Sequence, residues 1–324
     1  MVQEDILLKR GVIRSMKAVV IEQFGGPEVL VGKEIPKPVI EPNQVLIRLR
    51  ATSVNPVDFK IRQGAMGSAT GDFPLVLGGD AAGVVVEVGE NVSRFKADER
   101  VFARPRDFGT YAEYIAVDAD VVSKMPKAFN FEEAAAVPLA AMTAWQALVD
   151  HGKIKEGDKV LIHAGSGGVG TFAIQLAKHF GAEVASTASS RNKELLESLG
   201  ADRFIDYKEE DFSKVLSDYD LVLDTMGGDI QRKSFEILKP GGRLVSLVEK
   251  PDEQLQEKYQ VTGVQFMMEP SGSQLEKLAE LADQGKLRAV IDSTFWLNEE
   301  GIRQAHEKSE THHAAGKIVL RAEQ

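Results

Sequence analysis

Apolar and polar positions follow two different rhythms along the 324 residues. Between residues 16 and 126 the apolar positions come in short runs rich in valine and isoleucine: MKAVVIEQF, QVLIRLRATSV, AAGVVVEVG, RVFA and TYAEYIAV. Gly, Pro, Asn and Asp separate these runs at close intervals, a pattern that predicts a compact all-β, barrel-like unit. One passage inside it, SVNPVDFKIRQG at 53–64, is less regular. Pro56 fixes its own φ and pushes Asn55 out of helical geometry, so Asn55 is expected to end a strand with its amide aimed at a specific place.

The rhythm then changes. FEEAAAVPLAAMTAWQAL, at 131–148, has helical character that Pro138 should end or kink, and the crossover between domains is placed there. After it, strand and helix alternate. Strands are expected at 160–162, 183–187, 203–205, 221–223, 243–248 and 261–267. Helices are expected at 192–199, closed by Gly200, at 230–238, stopped by Pro240-Gly241-Gly242, and at 274–284. The polar stretch 251–260 is read as loop, and the tail ends in a strand-like KIVL at 317–320. Six strands with intervening helices predict a doubly wound parallel sheet.

The first unit of that sheet carries the strongest chemical signal. The apolar run Val160-Leu161-Ile162 is followed by HAGSGGVG, in which Gly165, Gly167 and Gly170 have the G-x-G-x-x-G spacing and Gly168 is extra. Apolar residues then recur at Val169, Phe172, Ala173, Leu176, Ala177 and Phe180, which is helical spacing. Strand, glycine turn and helix in this order suit a dinucleotide. Gly165 is expected to permit the sharp turn, Gly167 to admit a pyrophosphate and Gly170 to bring the helix onto the sheet. Ser166 lies within the same turn.

Composition narrows the partners. A net charge of −10 argues against nucleic acid or an anionic membrane as the main partner. The absence of cysteine excludes disulfides, thiolate zinc sites and a cysteine nucleophile. No apolar run has the length of a membrane span, and residues 1–15, MVQEDILLKRGVIRS, lack a signal-peptide core and are read as a tail, leaving the cytoplasm as the expected location. The adjacent His312 and His313 lack metal-ligand spacing and are read as solvent-exposed.

Taken together, MKAVVIEQFGGPEVL, ATSVNPVDFKIRQG, VLGGDAAGVVVEVG, PLAAMTAWQAL, HAGSGGVGTFAIQLAK, LGADRFIDY, LVLDTMGG, LKPGGRLVSL and GKIVL resemble the medium-chain dehydrogenase/reductase superfamily. Within it they are most similar to the zinc-free quinone oxidoreductase and enone reductase branch. The resemblance implies a Rossmann-type domain at 139–269 and a GroES-like substrate-side domain made of 16–138 and 270–324. It also shows two departures. Where zinc relatives carry a cysteine and a Gly-His-Glu, this chain has Ser53 to Asn55 and Gly79-Asp80-Ala81, and where the family usually has Gly-Asp before Val101, it has Asp98-Glu99.

Cofactor choice is read about 20 residues beyond the glycines, where NAD enzymes place an acid on the ribose. Here that stretch is TASSRNK, with Ser189 and Arg191 in place of an acid, which favours a 2′-phosphate and therefore NADPH. By resemblance Tyr207 lines the same phosphate pocket, and Lys317 of the GKIVL motif belongs to the cofactor site. Resemblance further implies that Asn55 and Thr143 lie near the nicotinamide, with a simple turn cap as the alternative for Asn55, and that the backbone from Ser246 to Val248 and from Phe266 to Met268 meets its carboxamide. Lys60 is implied as a polarising or proton-relay group, with a solvated lysine as the alternative. The expected activity is NADPH-dependent reduction of a quinone or an α,β-unsaturated carbonyl by a homodimer. A weakly active NADPH-binding protein of structural or regulatory role would carry the same cofactor motif and stays open.

Overall fold

A computed structural model describes residues 15–66 and 72–323. The reading of 1–15 as a tail lies outside the described residues but for Ser15, which already begins a strand. The chain divides into two compact units. One comprises the described residues up to Met125 with Thr294–His312 and those from Ile318 onward; the other comprises Pro126–Ser293 and His313–Lys317.

The first unit is β-rich, as its short valine and isoleucine runs predict. β1 (Ser15–Ile21) pairs antiparallel with β2 (Val31–Pro36). β3 (Gln44–Val54) is the spine of a seven-stranded sheet and β4 (Leu75–Val76) pairs with β1. β5 (Ala81–Val88) and β7 (Tyr114–Asp118) both pair with β3, while β6 (Arg100–Ala103) joins β5 to β8 (Val122–Lys124). Alternate side chains Val45, Ile47 and Leu49 of β3 meet Val85, Val101 and Val117 in one buried cluster, so the period-two pattern becomes the core. In the Asp98-Glu99 turn Asp98 adopts φ +69, a left-handed conformation that Asp tolerates better than most residues. After β3 the chain enters α1 (Pro56–Arg62), with Pro56 at the first helical position.

The second unit holds α2 (Pro138–Trp145), which continues as a π-helical turn over Gln146–His151, and a six-stranded sheet. The strands are β9 (Lys159–Ile162), β10 (Glu183–Ala188), β11 (Arg203–Asp206), β12 (Tyr219–Asp224), β13 (Leu238–Ser246) and β14 (Thr262–Gln265). Their spatial order is β11-β10-β9-β12-β13-β14 and every neighbouring pair is parallel. The order reverses between β9 and β12, the place where doubly wound sheets bind ligands. α3 (Gly168–His179) follows β9 and α4 (Gly228–Ile237) follows β12.

Several expected boundaries move. The polar stretch 251–260 contains a helix, α5 (Glu253–Tyr259). Asp252 accepts from the N–H groups of Gln254 and Leu255, Leu255 and Tyr259 lie one turn apart against the core, and Gln260 ends the helix at φ +54. β13 begins at Leu238, so Pro240-Gly241-Gly242 lies within the strand element instead of between helix and strand. The edge strand β14 is shorter than 261–267.

The units divide at Met125/Pro126 and Ser293/Thr294 in place of the expected 138/139 and 269/270, so that α6 (Gly272–Asp283) lies with α2 in the second unit. Gln146 ties them together: its Nε2 donates to the Glu269 carbonyl and to Gln274 Oε1, both at 2.7 Å, and its Oε1 accepts from Glu269 N–H. The chain then forms β15 (Ile291–Trp296), α7 (Glu299–Glu310) and β16 (Lys317–Arg321). From Ile318 onward β16 pairs with β3. No helix among the described residues is long and apolar enough to cross a membrane.

Candidate cofactor and active sites

The turn after β9 is built by close contact. The left-handed residue is Ala164, at φ +50, so the sharp turn is made there and not at Gly165. Gly165 is required for a different reason: a Cβ on it would stand 1.9 Å from Ser186 Oγ on the adjacent strand. A Cβ on Gly170 would stand 2.5 Å from the Ala164 carbonyl and 2.6 Å from the Gly165 Cα, which is the close helix packing expected of that position. Gly167 is the N-cap of α3 and Val169 lies half-buried in its first turn. The helix is held on the sheet by buried Phe172, Ala173, Leu176 and Ala177.

Two segments close round this turn. The Ser166 carbonyl accepts from Gly316 N–H at 2.8 Å, and the Ser166 hydroxyl accepts from Asn192 Nδ2 at 2.9 Å. Lys317, 4% exposed, runs its side chain past Gly168, whose Cβ position lies 2.9 Å from Lys317 Cδ. A cation beside the positive pole of a twelve-residue helix suits an anion bound there. The residues therefore fit a dinucleotide: small residues line the turn, the first-turn amides of α3 have no carbonyl of their own helix to bond, and a buried lysine stands alongside.

At the carboxyl end of β10, Ser189 precedes a short 3-10 turn over Ser190–Asn192 that contains no acid. The Arg191 guanidinium donates to the His313 carbonyl at 3.0 Å. Tyr207 follows β11, 57% exposed, with its N–H on the Ala188 carbonyl. Ala188 pairs with Asp206, so Ser189, Arg191 and Tyr207 gather at one end of β10 and β11.

On the other side of the switch point, Asp224 ends β12 fully buried. Its Oδ1 accepts from the N–H groups of Met226 and Gly227, and its Oδ2 accepts from Gln231 Nε2 and from the Ser246 hydroxyl. Ser246 in turn accepts from the N–H of Val248, which fixes the backbone at the end of β13. Phe266 lies just past β14, its ring 4.4 Å from that of His151, with Met268 two residues further on. The Thr143 hydroxyl is bonded within α2, donating to the Leu139 carbonyl at 2.7 Å.

In the β-rich unit, Asn55 sits at the end of β3 with 2% exposure. Its Nδ2 donates to Asp80 Oδ2 at 2.7 Å, an oxygen that also accepts from Ser53 Oγ at 2.5 Å. Its N–H donates to Asp58 Oδ2 at 2.7 Å, which secures the start of α1. The network continues through Tyr111, whose hydroxyl donates to Asp58 Oδ2, and His306 Nε2 lies 3.0 Å from that hydroxyl. His306 Nδ1 faces Arg62, which is fully buried and paired with Glu310.

Burial, and then the Arg62 charge, push His306 down to about 3, while burial and the Asp58 charge push the Tyr111 phenol well up. Arg104, beside Gly79, is also buried, and desolvation lowers its pKa against the opposing pull of Asp80. Lys60 is exposed, on the opposite side of α1 from buried Asp58, Phe59, Ile61 and Arg62. His312 and His313 are exposed as well. Among the described residues no group of three or more His, Asp or Glu could hold a metal ion.

Sequence reasoning missed Asp58, Arg62, Tyr111 and His306 because they come together from positions far apart in the chain. Asp224 and His163 did leave a signal: each is a polar residue closing an apolar run, LVLD and VLIH, on neighbouring strands.

Comparison with known proteins agrees with this architecture. Residues 41–127 match the alcohol dehydrogenase GroES-like domain, and residues 199–320 match a model described as zinc-binding dehydrogenase. The NAD(P)H oxidoreductase RTN4IP1, mitochondrial, of Danio rerio is 35% identical, over 94% of this chain and 91% of the relative. The chloroplastic NADPH-dependent alkenal/one oxidoreductase of Arabidopsis thaliana is 38% identical, over 95% of this chain and 80% of the relative. Among solved structures, the quinone oxidoreductase from Coxiella burnetii superposes with a TM-score of 0.88 at 37% identity, covering 95% of this chain and all of that one.

Proposed function

Since the chain belongs to the zinc-free quinone oxidoreductase and enone reductase branch of the medium-chain dehydrogenase/reductase family, we propose that it reduces a quinone or the C=C bond of an α,β-unsaturated carbonyl with NADPH. NADPH supplies the hydride from its nicotinamide C4. The observation that carries the reading is the turn from Ala164 to Gly170, where added Cβ atoms at Gly165 and Gly170 would collide with neighbouring strand and backbone.

In this reading Gly165, Ser166, Gly167, Gly168, Val169 and Gly170 hold the pyrophosphate together with Lys317. Ser189, Arg191 and Tyr207 hold the 2′-phosphate, an assignment supported by their gathering at one strand end and by the absence of an acid from the turn after β10. Thr143, Ser246, Val248, Phe266 and Met268 orient the nicotinamide. Asn55 orients the substrate carbonyl. Lys60, exposed on α1, delivers a proton to the enolate directly or through water. Where zinc relatives carry metal ligands this chain has Ser53 to Asn55 and Gly79-Asp80-Ala81, and Asn55 is bonded to Asp80. Reduction of an enone or quinone suits such a site, because conjugation already makes the acceptor carbon electrophilic and the protein need only orient it and exclude water.

We further propose a cytoplasmic homodimer associating through β14, the edge strand of the parallel sheet. A concentration-independent monomer in sedimentation would remove the dimer. The activity is tested by following NADPH oxidation against a panel of quinones and enones: turnover of at least one supports the proposal, and turnover of none refutes it.

A further inference from the structure

We infer that His163 and Thr187 form a positioning device for the dinucleotide turn, holding Ala164 in its left-handed conformation through a one-way chain of hydrogen bonds. The inference rests on the reading of that turn as a dinucleotide site. The direction of the chain follows from counting donors. Ser234 Oγ lies 2.7 Å from the Ile230 carbonyl, which can only accept, so the Ser234 hydroxyl donates there. Its oxygen then accepts from His163 Nε2–H at 2.9 Å. That makes His163 the Nε2–H tautomer, with Nδ1 as an acceptor for the Thr187 hydroxyl at 3.2 Å. Thr187 Oγ1 in turn accepts from Ala164 N–H at 3.2 Å. The Thr187 carbonyl meanwhile accepts from Gly165 N–H at 3.0 Å, so both amides that open the turn end on one residue of β10.

In the neutral ring Nε2 carries the proton and Nδ1 accepts from Thr187, and His163 is 1% exposed with Phe212 edge-on at 4.7 Å. A left-handed alanine is disfavoured without such support. Thr187 is also two residues before Ser189, so one side chain fixes the pyrophosphate turn from the strand that ends at the ribose.

The test is titration of NADPH and NADH into wild type, Thr187→Val, Thr187→Ser and Ser234→Ala. Thr187→Val, which suits a strand, is expected to weaken both dinucleotides by the same factor, about tenfold, while Thr187→Ser stays within about twofold of wild type. Ser234→Ala, cutting the chain at its far end, is expected to weaken both to a lesser extent. Nitrogen-15 spectra of the histidines should assign His163 as the Nε2–H tautomer in wild type and show it perturbed in Thr187→Val. Thr187→Val binding both dinucleotides as wild type does, or losing NADPH alone, overturns the inference while leaving the dinucleotide site intact. Wild type binding neither dinucleotide overturns that site, and the inference with it.

Discussion

Asn55 and Asp80 are joined by a 2.7 Å hydrogen bond in which the amide Nδ2 donates to a carboxylate with no exposure to solvent. A carboxylate can only accept, so Asp80 decides which end of the Asn55 amide faces it. Asp80→Asn keeps the shape and removes that direction. The expected result is a fall of about tenfold in kcat/KM for an enone and a loss of about 1–3 kcal/mol in unfolding free energy. Wild-type kinetics in this variant would separate Asp80 from the reaction.

Arg191→Ala should weaken NADPH by about tenfold or more and leave NADH nearly unchanged, since one charge-assisted contact is worth about 1.5–3 kcal/mol. Titration of both cofactors reads the ratio directly. An equal loss for both would move the 2′-phosphate elsewhere.

Two buried histidines make stability fall in mild acid. Burial holds His163 at about 4 and His306 at about 3, both below the usual 6.5. An unfolded chain therefore takes up protons first as pH drops. Their contribution is complete above about pH 6.5 and is lost progressively as pH falls toward 4 and then 3, at about 1.4 kcal/mol per pKa unit. Urea denaturation should give a lower unfolding free energy at pH 5 than at pH 7.5. His306→Gln should flatten that slope. A pH-independent midpoint over this range would contradict the assignment of both histidines as neutral.

Gly165→Ala places a methyl 1.9 Å from Ser186 Oγ, and Ser186 is itself bonded to the Ile162 carbonyl. The Ser186 hydroxyl must leave that position and its bond to Ile162, with an expected cost of about 1–3 kcal/mol in stability and loss of measurable NADPH binding. Unfolding and titration on the same preparation check both. Unchanged binding would remove Gly165 from the site.

What the chain's pattern reveals and what it hides have physical causes. The parallel sheet was readable because its strands are short apolar runs bounded by turn residues, and the glycine turn because its three spaced glycines lie between a strand and a helix. α5 escaped because its apolar positions, Leu255 and Tyr259, are only two among ten mostly polar residues. The left-handed residue was misplaced to a glycine because Ala164 owes its conformation to Thr187, more than twenty residues away. The Asp58–Tyr111–His306–Arg62 network is likewise invisible to local periodicity, since α1, α7 and the segment before β7 that carries Tyr111 come together only in the fold.

Product analysis with C4-deuterated NADPH and a simple enone tests the central claim most directly. Neither Asn55 nor Asp80 is arranged to stabilise an alkoxide through a metal, so reduction should occur at the conjugated carbon. The account predicts deuterium on the β carbon of a saturated ketone. Deuterium on the carbonyl carbon of an allylic alcohol would contradict it.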